Sequence, residues 1–275
     1  IFTRIFLGCL ITGLSFSSSR AQVVINEFSA SNLTQFADNY VEYEDWIELY
    51  NAGTSPVSLA GYYLSDDSSS VLKYQIPANV NINPGAFIRF WCSGRNLVSG
   101  TNYHTNFKIK QTKNTSEFLV LSDASGLLVD SVKVRKTQLG HSRGRVNNGS
   151  ATWGIFTAPT PNATNNTATS YSDYADKPDY DISAGFYAGS ATLNITTTEP
   201  NATIRYTLDG TLPTTSSTIY AGPINIASTK VVKAITYSSD PTILPSFLEF
   251  GTYFINVSHT LPIVSVSATS LTNLA

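Results

Sequence analysis

Apolar positions in this chain recur in short alternating runs and show no sustained 3.6-residue stripe. Residues 23–28 form the first run. Residues 46–50 alternate apolar and mixed faces and stop at Asn51-Ala52-Gly53, and residues 87–91 follow the turn Asn83-Pro84-Gly85. Residues 118–121 and 127–134 flank Asp123-Ala124-Ser125-Gly126, which predicts a hairpin. Farther on, Leu193 and Ile195 share a face within 191–197. Within 203–208, Ile204, Tyr206 and Leu208 take one face and Thr203, Arg205 and Thr207 the other. Asp209-Gly210 follows as a strong turn signal, and 230–237 and 247–256 complete a second group of strands. The pattern predicts an all-β protein made of sandwich domains.

The runs break between Pro159 and Asp181. Pro159-Thr160-Pro161-Asn162 leads into Asn, Thr, Ser and Asp with scattered Tyr, which predicts a linker with little to fill a core. The expected organisation is a signal peptide over 1–21, one domain over 22–160, the linker over 161–181, a second domain over 182–257, and the start of a further domain over 258–275. The signal reading rests on Arg4, the apolar run 5–14 and the small residues of Ser19-Arg20-Ala21 before Gln22. That run is too short to span a bilayer at the ~20 residues required. Phe6-Leu7-Gly8-Cys9 has a faint lipoprotein-box look, discounted because the apolar run continues past Cys9. The sequence begins at Ile1 and not Met, so an earlier start is expected.

Composition agrees with an exported β protein. The chain has 275 residues, 42% hydrophobic and 13% charged, with a net charge of −2. That is too apolar for disorder, and no basic stripe tracks a nucleic-acid backbone. After cleavage near Ala21 only Cys92 would remain, so a disulfide framework is excluded and Cys92 reads as a small buried hydrophobe.

Two stretches resemble known families. Val24-Ile25-Asn26-Glu27-Phe28, Asp45-Trp46-Ile47-Glu48-Leu49-Tyr50-Asn51 and the run from Val57 to Asp66, with Ser142-Arg143-Gly144-Arg145, Trp153 and Pro159-Thr160-Pro161-Asn162, resemble the lamin tail domain in its bacterial secreted form. Asn162 stands where that family usually has Gly. The resemblance covers about residues 22–165 and implies an immunoglobulin-like sandwich. Ile204-Arg205-Tyr206-Thr207-Leu208-Asp209-Gly210-Thr211-Leu212-Pro213, with Ser216-Ser217, Tyr220 and Lys233-Ala234, resembles the C-terminal sandwich of chitobiases and β-hexosaminidases. That resemblance covers about residues 182–256. It implies a module that accompanies catalytic domains and holds no active site. Leu261-Pro262-Ile263-Val264-Ser265-Val266 with Asn273-Leu274 is similar to the opening of a CotH-type kinase-like domain, none of whose catalytic residues fall within this sequence.

Candidate chemistry is sparse. Glu42, Glu44, Asp45 and Glu48 cluster, and paired carboxylates suit acid/base work or calcium; the plainer reading is an exposed loop entering a strand whose Glu48 faces water. Asp66-Asp67-Ser68-Ser69-Ser70 reads as a polar turn, without the Gly and terminal Glu of an EF-hand loop. His104, His141 and His259 lack metal-ligand spacing, so no metal and no cofactor are expected. Asn-x-Ser/Thr triplets such as Asn162-Ala163-Thr164 are attributed to composition and assigned no glycan. Tyr62, Tyr63, Trp153, Tyr206 and Tyr220 could stack on sugar rings, although core packing accounts for them as well. Trp153, Tyr206 and Tyr220 are the candidate ligand-binding residues, and no catalytic residue is assigned. The expected role is a secreted or cell-surface, non-catalytic tandem that contacts extracellular polysaccharide or a surface protein, or spaces its neighbours, without nucleic acid and without a transmembrane segment in the mature chain. The competing expectations are a carbohydrate-binding module proper and the accessory region of an extracellular enzyme, CotH-like or hydrolytic, whose catalytic domain lies beyond Ala275.

Overall fold

The computed structural model describes residues 22–111, 117–259 and 263–264. The signal peptide read over 1–21, Cys9 within it, and most of the expected domain start over 258–275 lie outside the described residues. The described chain is all-β, and its one helical piece is a 3-10 turn at Asn165–Thr167. No described helix is long and apolar enough to cross a membrane.

The first sandwich opposes a seven-stranded and a four-stranded sheet. The larger runs, in spatial order, Trp153–Phe156, Ser142–Arg145, Val23–Ser29, Trp46–Asn51, Phe87–Trp91, Asn102–His104 and Leu97–Ser99. The smaller runs Leu128–Lys133, Phe118–Ser122, Tyr63–Ser65 and Tyr74–Gln75. Alternation along each strand sends Val23, Ile25, Ile47 and Leu49 from the larger sheet against Leu64, Leu119 and Leu121 from the smaller one. The expected hairpin between Phe118–Ser122 and Leu128–Lys133 forms with antiparallel register. Asp123 Oδ1 accepts from the Ser125 and Leu127 amides at 2.8 and 3.0 Å, and Gly126 supplies φ +85°.

The first strand carries a bulge. Its register against Trp46–Asn51 shifts between Ile25 and Glu27, so Val23, Ile25 and then Phe28 all reach the core. Ile25 is satisfied by side chains: its N–H donates to Asp130 Oδ2 at 2.8 Å and its carbonyl accepts from Arg145 Nε at 2.8 Å. Arg145 closes the arrangement by pairing with Asp130 at 2.8 Å. Residues 142–145 and 153–156, quoted in the sequence only as motif pieces, are thus full strands, and Arg143 and Arg145 are buried within one of them.

The second sandwich places a five-stranded sheet against two short hairpin-like pairs. The sheet runs Gly185–Tyr187, Glu249–Ile255, Lys230–Tyr237, Thr203–Thr207 and Thr218–Ile219. Ala191–Leu193 pairs with Ile224–Ile226, and Asp179–Tyr180 with Ile195–Thr196. Leu193, Ile195, Ile204, Ile226, Val232, Ala234, Tyr253 and Ile255 share the core. Gly210 has φ +78°, which favours glycine, and a Cβ there would crowd Val231 at 3.3 Å.

The stretch expected to be a linker is held on both sides. Tyr171 bridges Ile155 of the first sandwich, and Asp173–Tyr174 pairs in parallel with Ile243–Leu244 of the second. The Tyr174 hydroxyl lies 2.7 Å from His141 Nδ1 and accepts from the Gln138 amide at 2.9 Å. Its ring stacks on His141 with 4° between planes and meets Phe247 at 4.9 Å. Gln138 also donates to the Pro245 and Ser246 carbonyls at 3.1 Å. Polar residues that cannot fill an apolar core here meet buried or half-buried polar partners instead. Tyr174→Ala removes the stack and both hydrogen bonds, at about 2–4 kcal/mol for losing a packed aromatic. The wild-type chain should tumble in NMR relaxation as one body, and the variant should show two correlation times with a folded spectrum for each sandwich.

Candidate functional site

The most unusual chemistry lies on the face of the large sheet turned away from the core. Because Ile47 and Leu49 point inward, Glu48 points outward, as does Glu27 after the bulge, and the two stand opposite each other across the strand pair. Both are fully buried, contrary to the expectation that Glu48 faces water. Residues Thr160 to Asn165 cover them. Glu27 Oε1 accepts from Ser142 Oγ at 2.5 Å and the Thr160 amide at 3.0 Å, and Oε2 accepts from Thr160 Oγ1 at 2.7 Å. Glu48 accepts from the Asn162 amide and from Asn26 Nδ2. Asn165 donates from Nδ2 to the Arg145 carbonyl at 2.8 Å and accepts from Thr160 Oγ1 at 2.8 Å. Burial pushes the Glu48 carboxyl up to about 8, against the Asn162 amide that holds it down, and burial likewise raises Glu27.

The other carboxylates of the acidic cluster lie apart from Glu48's cover, with Glu42 and Glu44 meeting on Arg95. Arg95 pairs with Asp38 at 3.0 Å, with Glu44 at 3.4 Å and with Glu42, while Lys108 holds Glu44 at 3.1 Å. Asp45 accepts from the Asn32 amide at 3.1 Å, and burial pushes its carboxyl up to about 7. Asp66 pairs with Lys73 at 2.5 Å, and Asp67 Oδ1 accepts from the Ser69 amide at 2.9 Å, which makes that loop a bonded turn. Asp209 accepts from Thr211 N and Oγ1 at 3.0 and 2.6 Å, the contacts that hold its carboxyl below the ordinary range. Among the described residues no group of three or more His, Cys, Asp and Glu could hold a metal ion.

One constellation looks catalytic on paper. Ser93 Oγ lies 3.0 Å from His104 Nδ1, and His104 Nε2 lies 2.7 Å from Asn39 Oδ1. A nucleophile, a base and an orienting group meet in that order. Ser93 is only 5% exposed and also accepts from the Arg95 amide at 3.3 Å, so a substrate carbonyl has no approach to its oxygen. The three residues tie loops to the strand Asn102–His104. Cys92 is buried beside them, and burial pushes its thiol well up, which leaves it a poor nucleophile.

The candidate ligand-binding aromatics fall in two places. Trp153 packs on the first core, with its ring 5.9 Å from Phe28 and the Arg145 guanidinium 5.1 Å from its centroid. Tyr206 and Tyr220 meet edge to face at 6.4 Å and both lean on the second core. Tyr206 also lines an open groove of about 630 Å³ with Asp209, Ser217, Thr218, Thr229 and Lys230. The Asp209-Gly210 turn forms one end of that groove, so a residue pair legible as a hairpin signal also marks its position.

The buried carboxyls give stability a defined pH dependence. Folded-state pKa values above the unfolded ones mean that the full contribution is present below about pH 4.5 and is lost as pH rises through about 8 for Glu48. Melting temperature should fall by on the order of 5–10 °C between pH 5 and pH 9. Glu48→Gln keeps an acceptor for the Asn162 amide, removes the titration and should flatten that slope in calorimetry. An unchanged slope in the variant would reject the assignment.

Residues 17–136 match the family model of the Lamin Tail Domain, and residues 182–242 match that of the Chitobiase/beta-hexosaminidase C-terminal domain. No curated protein matches the chain. Among solved structures it is similar to the three N-terminal domains of the bacteriophage RB49 Highly Immunogenic Outer Capsid protein (Hoc), at 9% identity over 86% of this chain and 99% of that one. The TM-score of that pair is 0.19, and the likeness carries no argument. Two segments of the chain, residues 17–136 and 182–242, therefore match in that order the lamin tail domain and the chitobiase/β-hexosaminidase C-terminal domain, both immunoglobulin-like modules that are not themselves catalytic.

Proposed function

We propose that this chain is an exported, non-catalytic tandem whose second sandwich contacts extracellular polysaccharide, while the tied junction spaces that contact from whatever precedes it. The observation that carries the reading is the groove beside Tyr206. It is open, about 630 Å³, and offers hydroxyls from Ser217, Thr218 and Thr229, one carboxylate from Asp209 and one ammonium from Lys230. A tyrosine beside hydroxyl and charged residues suits a sugar ring, which has apolar C–H faces and a polar rim. Export is supported by the charged, apolar and small-residue segments before Gln22. The absence of catalysis is supported by the bonding of the described acidic residues to arginine, lysine and loop amides.

The test is retention of the chain on insoluble chitin, cellulose and bacterial wall polysaccharide, with affinity electrophoresis for soluble glycans. Thr218 is exposed on the groove edge, so Thr218→Arg should leave the melting temperature unchanged and weaken binding about tenfold, or ~1.4 kcal/mol. Retention on none of these materials, or equal retention of the variant, would sink the proposal.

A further inference from the structure

The five-stranded sheet of the second sandwich has a core face and an outer face, and part of the outer face is buried while its aromatic residues Phe186 and Phe250 stay exposed. Tyr253 and Ile255 point into the core, so Phe250, Thr252 and Phe254 point out. In the neighbouring strand Val232 and Ala234 point in, so Lys233, paired with Phe250, points out. Lys233 is nevertheless only 4% exposed and Thr252 only 7%. Beside them stands an aromatic patch. Phe186 and Phe254 are paired across the edge strand and stack at 4.8 Å, and His259 meets them edge-on at 5.9 and 6.2 Å. Phe186 and Phe250 remain 53% and 43% exposed, a cluster that water does not favour.

We infer that this outer face is the docking surface for the chain's own continuation, residues 263–275. Ile263, still 38% exposed, already lines an apolar groove of about 240 Å³ together with Phe186, Phe250, Thr252 and Phe254. The chain leaves the sheet next to that groove, because the Asn256 amide donates to the Tyr187 carbonyl at 2.9 Å. Reach is sufficient. Residues 264–275 span about 40 Å when extended, against roughly 19 Å across five strands. Val266, Ala268, Leu271 and Leu274 supply apolar side chains along the segment beyond the exposed Val264, and Ser and Thr supply hydroxyls. Docking there sets the direction in which anything joined after this segment emerges from the second sandwich.

Hydrogen exchange on the full chain tests this. Amides of 263–275 should exchange at least about tenfold more slowly than an unstructured peptide. Ile263→Asp and Phe186→Ser should each return them to the free-peptide rate, while amides in Lys230–Tyr237 keep their protection and report an intact sheet. Ile263 lies outside every strand, so its variant decides the matter even where Phe186→Ser disturbs the edge. Free-peptide exchange of 263–275 in the wild-type chain would overturn the proposal. Protection that disappears on dilution, with sedimentation showing a dimer, would overturn it in favour of a second copy.

Discussion

Burial of the paired carboxyls Glu27 and Glu48 is the constraint on which the arrangement of this chain depends. A bulge places Glu27 on the outer face of the large sheet opposite Glu48, where two carboxyls without cover would simply ionise in water. Instead Thr160 and Asn162 close over them and supply donors, and Asn165 ties the covering segment to the Arg145 carbonyl. This closing segment fixes where the chain goes next. Tyr171 is returned to the edge strand at Ile155, Asp173 and Tyr174 reach the second sandwich, and the junction with His141 and Phe247 follows.

Groups with displaced pKa values often mark active sites, because catalysis needs them. Here the same displacement has another origin. Desolvation is the leading cause at Glu27, Asp45 and Glu48, and each carboxyl accepts from backbone amides of a loop it holds. A desolvated carboxyl that accepts from loop donors fastens that loop in place. Access, and not titration, separates this from catalysis, and the Ser93–His104–Asn39 set makes the same point with a nucleophile that nothing can reach.

Much of the fold was legible because alternation survives burial. Strands around Trp46, Phe87, Phe118, Thr203 and Lys230 follow period-two patterns, and the turns at Gly126 and Gly210 carry residues suited to positive φ. The pattern also placed Glu48 on the correct face, yet could not say that a segment more than a hundred residues away covers it. The bulge after Ile25 was illegible for the same reason, since the groups that satisfy it, Asp130 and Arg145, are remote in sequence. Ser142–Arg145 reads as polar surface, but its arginines are buried against Asp130 and Asp173. Of the candidate aromatics only Tyr206 lines the groove, and the groove itself was illegible because it needs Ser217, Thr229 and Lys230 brought to one edge.

The edge strand Gly185–Tyr187 pairs in parallel with Glu249–Ile255, the first and last strands of the same sheet. Tension applied through the two ends of the chain therefore loads this pair lengthwise. Its hydrogen bonds and the Phe186–Phe254 stack resist together as a shear joint and do not open one after another like a zip. A module built in this way transmits pulling force to its neighbours before it yields.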